Sequence, residues 1–155
     1  MSPSSIPNRR GFRGYIAARD TGGRSAPQAI QQLVIRDYCA KNGMTFLLSA
    51  TEYLMPGCTM VLDGILHDEI DLIEGIAMYS IFLMPESRAK RLQLYARLVE
   101  SGAELHTAVE GIVIHNWADA MKVEDLFLVW DIQSAQQKAD FDYLAQWDKT
   151  HYAAA

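Results

Sequence analysis

The sequence has only two cysteines, Cys39 and Cys58, in 155 residues. Two thiols allow one disulfide at most, and without an export signal they point to a reducing compartment. Long hydrophobic runs are missing too: nothing approaches the ~18 apolar residues of a membrane helix. Residues 1–10 have no apolar segment of the kind a secretory signal carries. These absences predict a soluble, cytoplasmic protein with no membrane partner. Positive charge is short, with 14 Lys and Arg against 19 Asp and Glu and a formal net charge of -5. That deficit predicts no nucleic-acid partner, because such binding needs a basic face to neutralise phosphates; a small local basic pocket is still compatible with it. There is no Cys-x-x-Cys, no His-Glu-x-x-His and no P-loop, and His67, His106, His115 and His151 lack metal-ligand spacing. Gly22-Gly23 lacks the Gly-x-Gly-x-x-Gly spacing of a dinucleotide site. No metal and no cofactor are therefore expected.

What is present is a globular composition, half hydrophobic, in a chain long enough for one core. Residues 1–11, rich in Ser, Pro and Arg, read as a flexible arm. Residues 12–18 read as a first strand, followed by a polar loop. Ser25 and Pro27 then open a helix with Ile30, Leu33, Val34, Tyr38 and Cys39 at helical spacing, and Asn42-Gly43 stop it. Residues 44–48 are a second strand, and Pro56-Gly57 starts a helix that ends near Asp68. Residues 72–79 are a third strand. A helix from Pro85-Glu86-Ser87 to Gly102 follows, with a fourth strand over 103–109. This alternation predicts an α/β fold: a three-layer sandwich with a four- to five-stranded, mainly parallel sheet. Residues 118–130 read as a helix and 134–155 as a last helix or tail. The domain organisation is thus an arm (1–11), one α/β domain (12–133) and a C-terminal extension (134–155). Apolar and aromatic surface on the helix after Pro85 and in the C-terminal segment predicts a homo-oligomer.

The order of segments resembles the N-terminal catalytic domain of serine recombinases, which supports a resolvase-like or flavodoxin-like architecture. That family carries a Tyr-x-Arg-x-Ser strand end and a later Tyr-x-x-Asp-Arg. Here the first reads Tyr15-Ile16-Ala17-Ala18-Arg19, with Ala17 at the arginine position and Arg19 at the nucleophilic serine position. The later one reads Tyr79-Ser80-Ile81-Phe82-Leu83, without the Asp-Arg pair. The resemblance implies the fold and not strand cleavage. The pieces Arg13-Gly14-Tyr15-Ile16, Pro27-Gln28, Val34-Ile35-Arg36-Asp37-Tyr38-Cys39, Leu47-Leu48-Ser49-Ala50-Thr51-Glu52-Tyr53, Met55-Pro56-Gly57-Cys58 and Tyr79-Ser80 also resemble the sporadic carbohydrate cluster proteins, a small bacterial family. That second resemblance implies a role in making an unusual carbohydrate or a sugar-containing natural product.

Residues 47–58 are the leading site candidate, an apolar run that stops at a hydroxyl, a carboxylate and a phenol. Ligands of open α/β sheets bind outside the carboxyl ends of the strands. Glu52 there is a candidate general acid or base if a hydrophobic surround raises its pKa; a helix-capping carboxylate is the alternative. Glu110, at the end of the fourth strand, is the candidate second carboxylate, and Tyr79 a candidate acid. Ser49, Thr51, Tyr53 and Ser80 offer hydroxyls to a sugar, with Arg13 and Tyr15 on the first strand. Arg19 is a candidate phosphate holder, and Gly57-Cys58 at a helix start a candidate anion site. The expected function is a cofactor-independent isomerase, epimerase or dehydratase acting on a sugar, sugar phosphate or nucleotide sugar. The alternatives are an N-glycosidase or glycosyl-transfer enzyme with a carboxylate nucleophile, or a non-catalytic subunit of a biosynthetic enzyme.

Overall fold

The run Phe12–Ile16 forms strand β1, and two later strands pair with it in parallel, β2 (Phe46–Thr51) on one side and β3 (Gly75–Met78) on the other. Strand β4 (Glu104–Thr107) continues the parallel set beside β3. A short β5 (Ile112–Ile114) pairs antiparallel to β4, because residues 108–111 are too few for the crossover that a parallel strand needs. The order is β2-β1-β3-β4-β5. The structure is a computed structural model and describes residues 9–18 and 25–152. The chain divides into two compact units, Met1–Asp119 and Ala120–Ala155; the sheet belongs to the first.

Helix α1 (Gln28–Lys41) connects β1 to β2. Helix α2 (Met60–Gly64) connects β2 to β3 and runs on into a π-helical turn, Ile65–Glu69. Helix α3 (Arg88–Ser101) connects β3 to β4. On one face of the sheet Phe12, Ile16 and Ala77 pack with Ile35 and Cys39 of α1. The period-2 alternation of a strand sends Tyr15, Ile76 and Met78 to the other face, and all three are fully buried. A sheet covered on both faces explains why all of Gly75–Met78 is buried and apolar. The expected α/β sandwich with a mainly parallel sheet is thus the observed one.

Several boundaries move. β2 runs to Thr51 because it pairs with β1 through Ile16↔Thr51, which draws Ser49 and Thr51 into the ladder rather than a loop. The helix expected at Pro56-Gly57 begins only at Met60. Helix α4 (Trp117–Tyr152) continues unbroken through residue 134. It carries exposed apolar side chains along its length, among them Leu128, Ile132, Phe141 and Leu144. No helix among the described residues is long and apolar enough to cross a membrane. Residues 1–8 of the expected arm lie outside the described residues.

Helix α3 has the start and stop its sequence calls for. The Ser87 side chain accepts from the Lys90 N–H, and Gly102 ends the helix at φ 69° with its N–H on the Val99 carbonyl. A side chain at that left-handed position is strained, so Gly102→Ala is expected to lose about 1 kcal/mol. Urea denaturation checks it; an unchanged midpoint would show that α3 does not end in the left-handed turn.

Candidate functional site

Glu52 leaves the end of β2 and turns back into the protein, where it is 3% exposed. Its carboxylate accepts from the Tyr15 phenol at 2.9 Å and from the backbone N–H groups of Tyr53, Val61 and Leu62 at 3.0–3.2 Å. The Cys58 thiol donates to it at 3.4 Å. Val61 and Leu62 lie in the first turn of α2, whose free N–H groups favour an anion. The anion site expected at this helix start is therefore filled by the protein's own carboxylate. Pro56 and Gly57 instead form a turn, Gly57 at φ 67° with the Cys58 N–H on the Met55 carbonyl, in the Pro-Gly order of a type II turn.

Burial alone would push the Glu52 carboxyl up. The hydrogen bonds from Val61, Tyr53, Tyr15 and Leu62 outweigh it and hold the group below the usual glutamate range. This is the opposite of the shift a general acid at neutral pH needs. Glu52 stays ionised and ties β1, β2 and α2 together.

The other carboxylate has its own set of partners. Glu110, exposed, accepts from the Ser80 hydroxyl at 2.6 Å and from the Ile81 N–H at 3.0 Å. It clasps the turn after β4 to the short 3-10 turn after β3, Ile81–Leu83. Ser80 is buried and also accepts from the Phe82 N–H. Tyr79 is half-buried against the Phe12–Ile35 core cluster. No hydrogen-bonding group is common to the Glu52 and Glu110 sets.

The remaining candidates scatter. Tyr15 is fully buried beneath Glu52, whereas Thr51 and Tyr53 are exposed. Ser49 is half-buried and its hydroxyl has no hydrogen-bond partner among the described residues. Arg13 points to the π turn, with Nη1 donating to the Leu48 carbonyl at 2.6 Å and Nε 3.2 Å from Glu69. Arg19 lies outside the described residues. Among the described residues, no group of three or more His, Cys, Asp or Glu is arranged to hold a metal.

Two polar features were not foreseen as a site. Gln31, buried in α1, donates to the carbonyls of Ala17 and Ala26 and accepts from the Ala17 N–H, which fixes the end of β1. A glutamine on a helical face gives no sign in sequence of such a role. His106 joins Tyr38 at 3.0 Å to Glu104 at 2.8 Å, near the opposite, amino-terminal end of β4. The Tyr38 phenol there is raised, first by burial and then by the charges of Cys39 and Glu104.

No family model and no curated protein matches the chain. Among solved structures, the N-terminal catalytic domain of TP901-1 integrase is 13% identical, with a TM-score of 0.56; the match covers 80% of this chain and 98% of that one. A resolvase family site-specific recombinase from Streptococcus pneumoniae is 14% identical, with a TM-score of 0.52 over 90% of this chain and 99% of the other. These matches correct the functional expectations. The sugar isomerase, epimerase, dehydratase and N-glycosidase readings, and the carbohydrate-biosynthesis setting with its sugar substrate, have no counterpart among them. The exclusion of a nucleic-acid partner, drawn from net charge alone, is overturned with them. Likeness to the carbohydrate cluster proteins finds no support, while likeness to the recombinases holds at the level of fold: the chain has a fold resembling the serine recombinase catalytic domain.

Proposed function

We propose that this chain is a resolvase-fold module that associates with duplex DNA without cutting it. The observation that carries the reading is the end of β1. Ala17 stands where the recombinases place an arginine; it is 1% exposed, and its backbone N–H and carbonyl are both taken by Gln31. Arg19 stands at the position of the serine nucleophile. Attack on a phosphodiester needs a nucleophile and cationic groups for the charge that develops on the phosphoryl oxygens. Among the described residues at the strand end, 15–18, the one hydroxyl is the buried Tyr15 phenol, which donates to Glu52, and Glu52 is sealed by its own partners.

The DNA half rests on the likeness to an integrase and a site-specific recombinase, and on where the cations are. Arg9, Arg10, Arg13, Arg19 and Arg24 crowd into residues 1–24 with Asp20 as the single acid, in a chain of net charge -5. Such a local basic segment can meet phosphates although the whole molecule is acidic.

The test is fluorescence anisotropy with a labelled duplex, beside incubation with supercoiled plasmid. Binding is expected to weaken by at least about tenfold between about 50 and 200 mM salt as phosphate contacts are lost. Arg19→Ala with Arg24→Ala is expected to weaken it further and flatten the salt dependence. The plasmid is expected to remain unnicked, with no covalent protein–DNA adduct. Absence of binding at low salt would sink the DNA half, and nicking would sink the non-cleaving half.

A further inference from the structure

We propose that the cavity beside strand β2 binds an amphipathic organic monoanion, an aryl or acyl carboxylate. The cavity has a volume of about 560 Å³, within the ~300–1,000 Å³ of small-molecule sites. Leu47, Leu48, Leu72 and Ile73 form its apolar lining; Arg10, Arg13 and Glu69 supply the charge. None of the residues around Glu52 or Glu110 takes part.

The site follows from an irregularity in the sheet. β1 and β2 pair as Phe12↔Phe46 and then as Gly14↔Ser49, so β2 carries an extra residue opposite Arg13. Bulges of this kind re-aim side chains at a sheet edge, and β2 is the edge strand. Here the bulge leaves Leu48 75% exposed and turns its carbonyl to accept Arg13 Nη1 at 2.6 Å. Leu72 is 62% exposed across the cavity. Two large apolar side chains are thus held in water on either side of a fixed guanidinium.

Charge selects the ligand. Two guanidinium groups against one carboxylate leave the lining with one net positive charge. Arg13 Nε is buried and lies 3.2 Å from Glu69 Oε2, while the side chain as a whole is 24% exposed, so a ligand meets the guanidinium at its Nη edge. A ligand carboxylate meets the exposed edge of the Arg13 guanidinium and the exposed Arg10 and neutralises the excess charge, and its apolar body covers Leu48 and Leu72. A neutral molecule leaves the charge unmet. A phosphodiester chain would set charged groups against the leucines; Arg10 and Arg13 also stand in the basic segment of the DNA reading, which is tested at Arg19 and Arg24, whereas this site is tested at Arg13 and Leu72.

The experiment is 1H–15N NMR of the labelled chain titrated with naphthalene-2-carboxylate and, separately, with naphthalene-2-carboxamide. The carboxylate is expected to shift the Arg13 Nε–H and the amides of Leu47, Leu48, Leu72 and Ile73. It is expected to bind about tenfold tighter than the amide, the margin of one charge-assisted hydrogen bond. Arg13→Gln is expected to abolish that preference. Leu72→Glu, at a position 62% exposed, is expected to weaken carboxylate binding by about tenfold or more through like-charge repulsion and lost apolar contact. Equal affinity for the two probes, shifts confined to other residues, or undiminished binding to Leu72→Glu would each overturn the proposal. If Arg13→Gln fails to fold, the two-probe comparison and Leu72→Glu decide it.

Discussion

Glu52→Gln is expected to destabilise the fold by about 2–4 kcal/mol at neutral pH, the cost of leaving buried donors to a charged acceptor badly matched. The carboxylate accepts from a phenol, a thiol and three backbone N–H groups. Glutamine offers one acceptor oxygen, and its amide NH2 must face donors that need an acceptor. The cost depends on pH in a defined direction. The Glu52 pKa is depressed in the folded chain, so the unfolded chain binds the proton more readily. The carboxylate's stabilisation is therefore full above the ordinary glutamate value of about 4.3 and is lost as pH falls through the lower, folded value. Urea denaturation of both proteins from about pH 7 to about pH 3 should show the gap narrowing on the acid side. A variant as stable as the parent at neutral pH would show that Glu52 is not the clamp between β1, β2 and α2, and would reopen its candidacy as an acid or base.

This residue also shows what was legible in the sequence and what was not. The run Leu47-Leu48 followed by polar residues marks a strand end, and Glu52 does sit there. Whether it faces a ligand or folds back depends on Tyr15, remote in sequence, whose phenol is inside only because β1 alternates that way. Pro56-Gly57 is plain punctuation, but a helix start and a type II turn share that dipeptide; only the φ of Gly57 separates them. The alternation of strands and helices gave the layered fold because buried parallel strands and amphipathic helices carry strong patterns. β5 escaped because three residues after Gly111 are too few to show a period. The span of α4 escaped because apolar residues lie all around it and no face repeats at 3.6 residues. The bulge that builds the β2 cavity is a matter of register between two strands, and no local pattern records it.

Gly75→Ala is expected to cost about 3 kcal/mol or more, toward the upper end of what overpacking does. A Cβ at that position would lie 2.0 Å from the Glu104 carbonyl oxygen and 2.9 Å from the Phe12 ring. Neither neighbour has room to give. Gly75 is paired with Phe12 on one side and Glu104 on the other, and the flanking bonds Glu74 N–H to Gly11 and Glu104 N–H to Glu74 fix the three backbones at 2.8–3.0 Å. Relief requires β4 to separate from β3, which also pulls the Glu110 clasp away from Ser80. Gly64→Ala is the matched control. Gly64 is helical at φ -60°, and a Cβ there meets nothing within 4 Å. That substitution is expected to stabilise by about 0.4–1 kcal/mol, because alanine has less backbone freedom to lose. The two variants add the same methyl group, so their difference in urea midpoint isolates the close approach of β3 to β4. If they shift the midpoint alike, the pairing of Gly75 with Glu104 is wrong, and with it the register that sets Ser80 against Glu110.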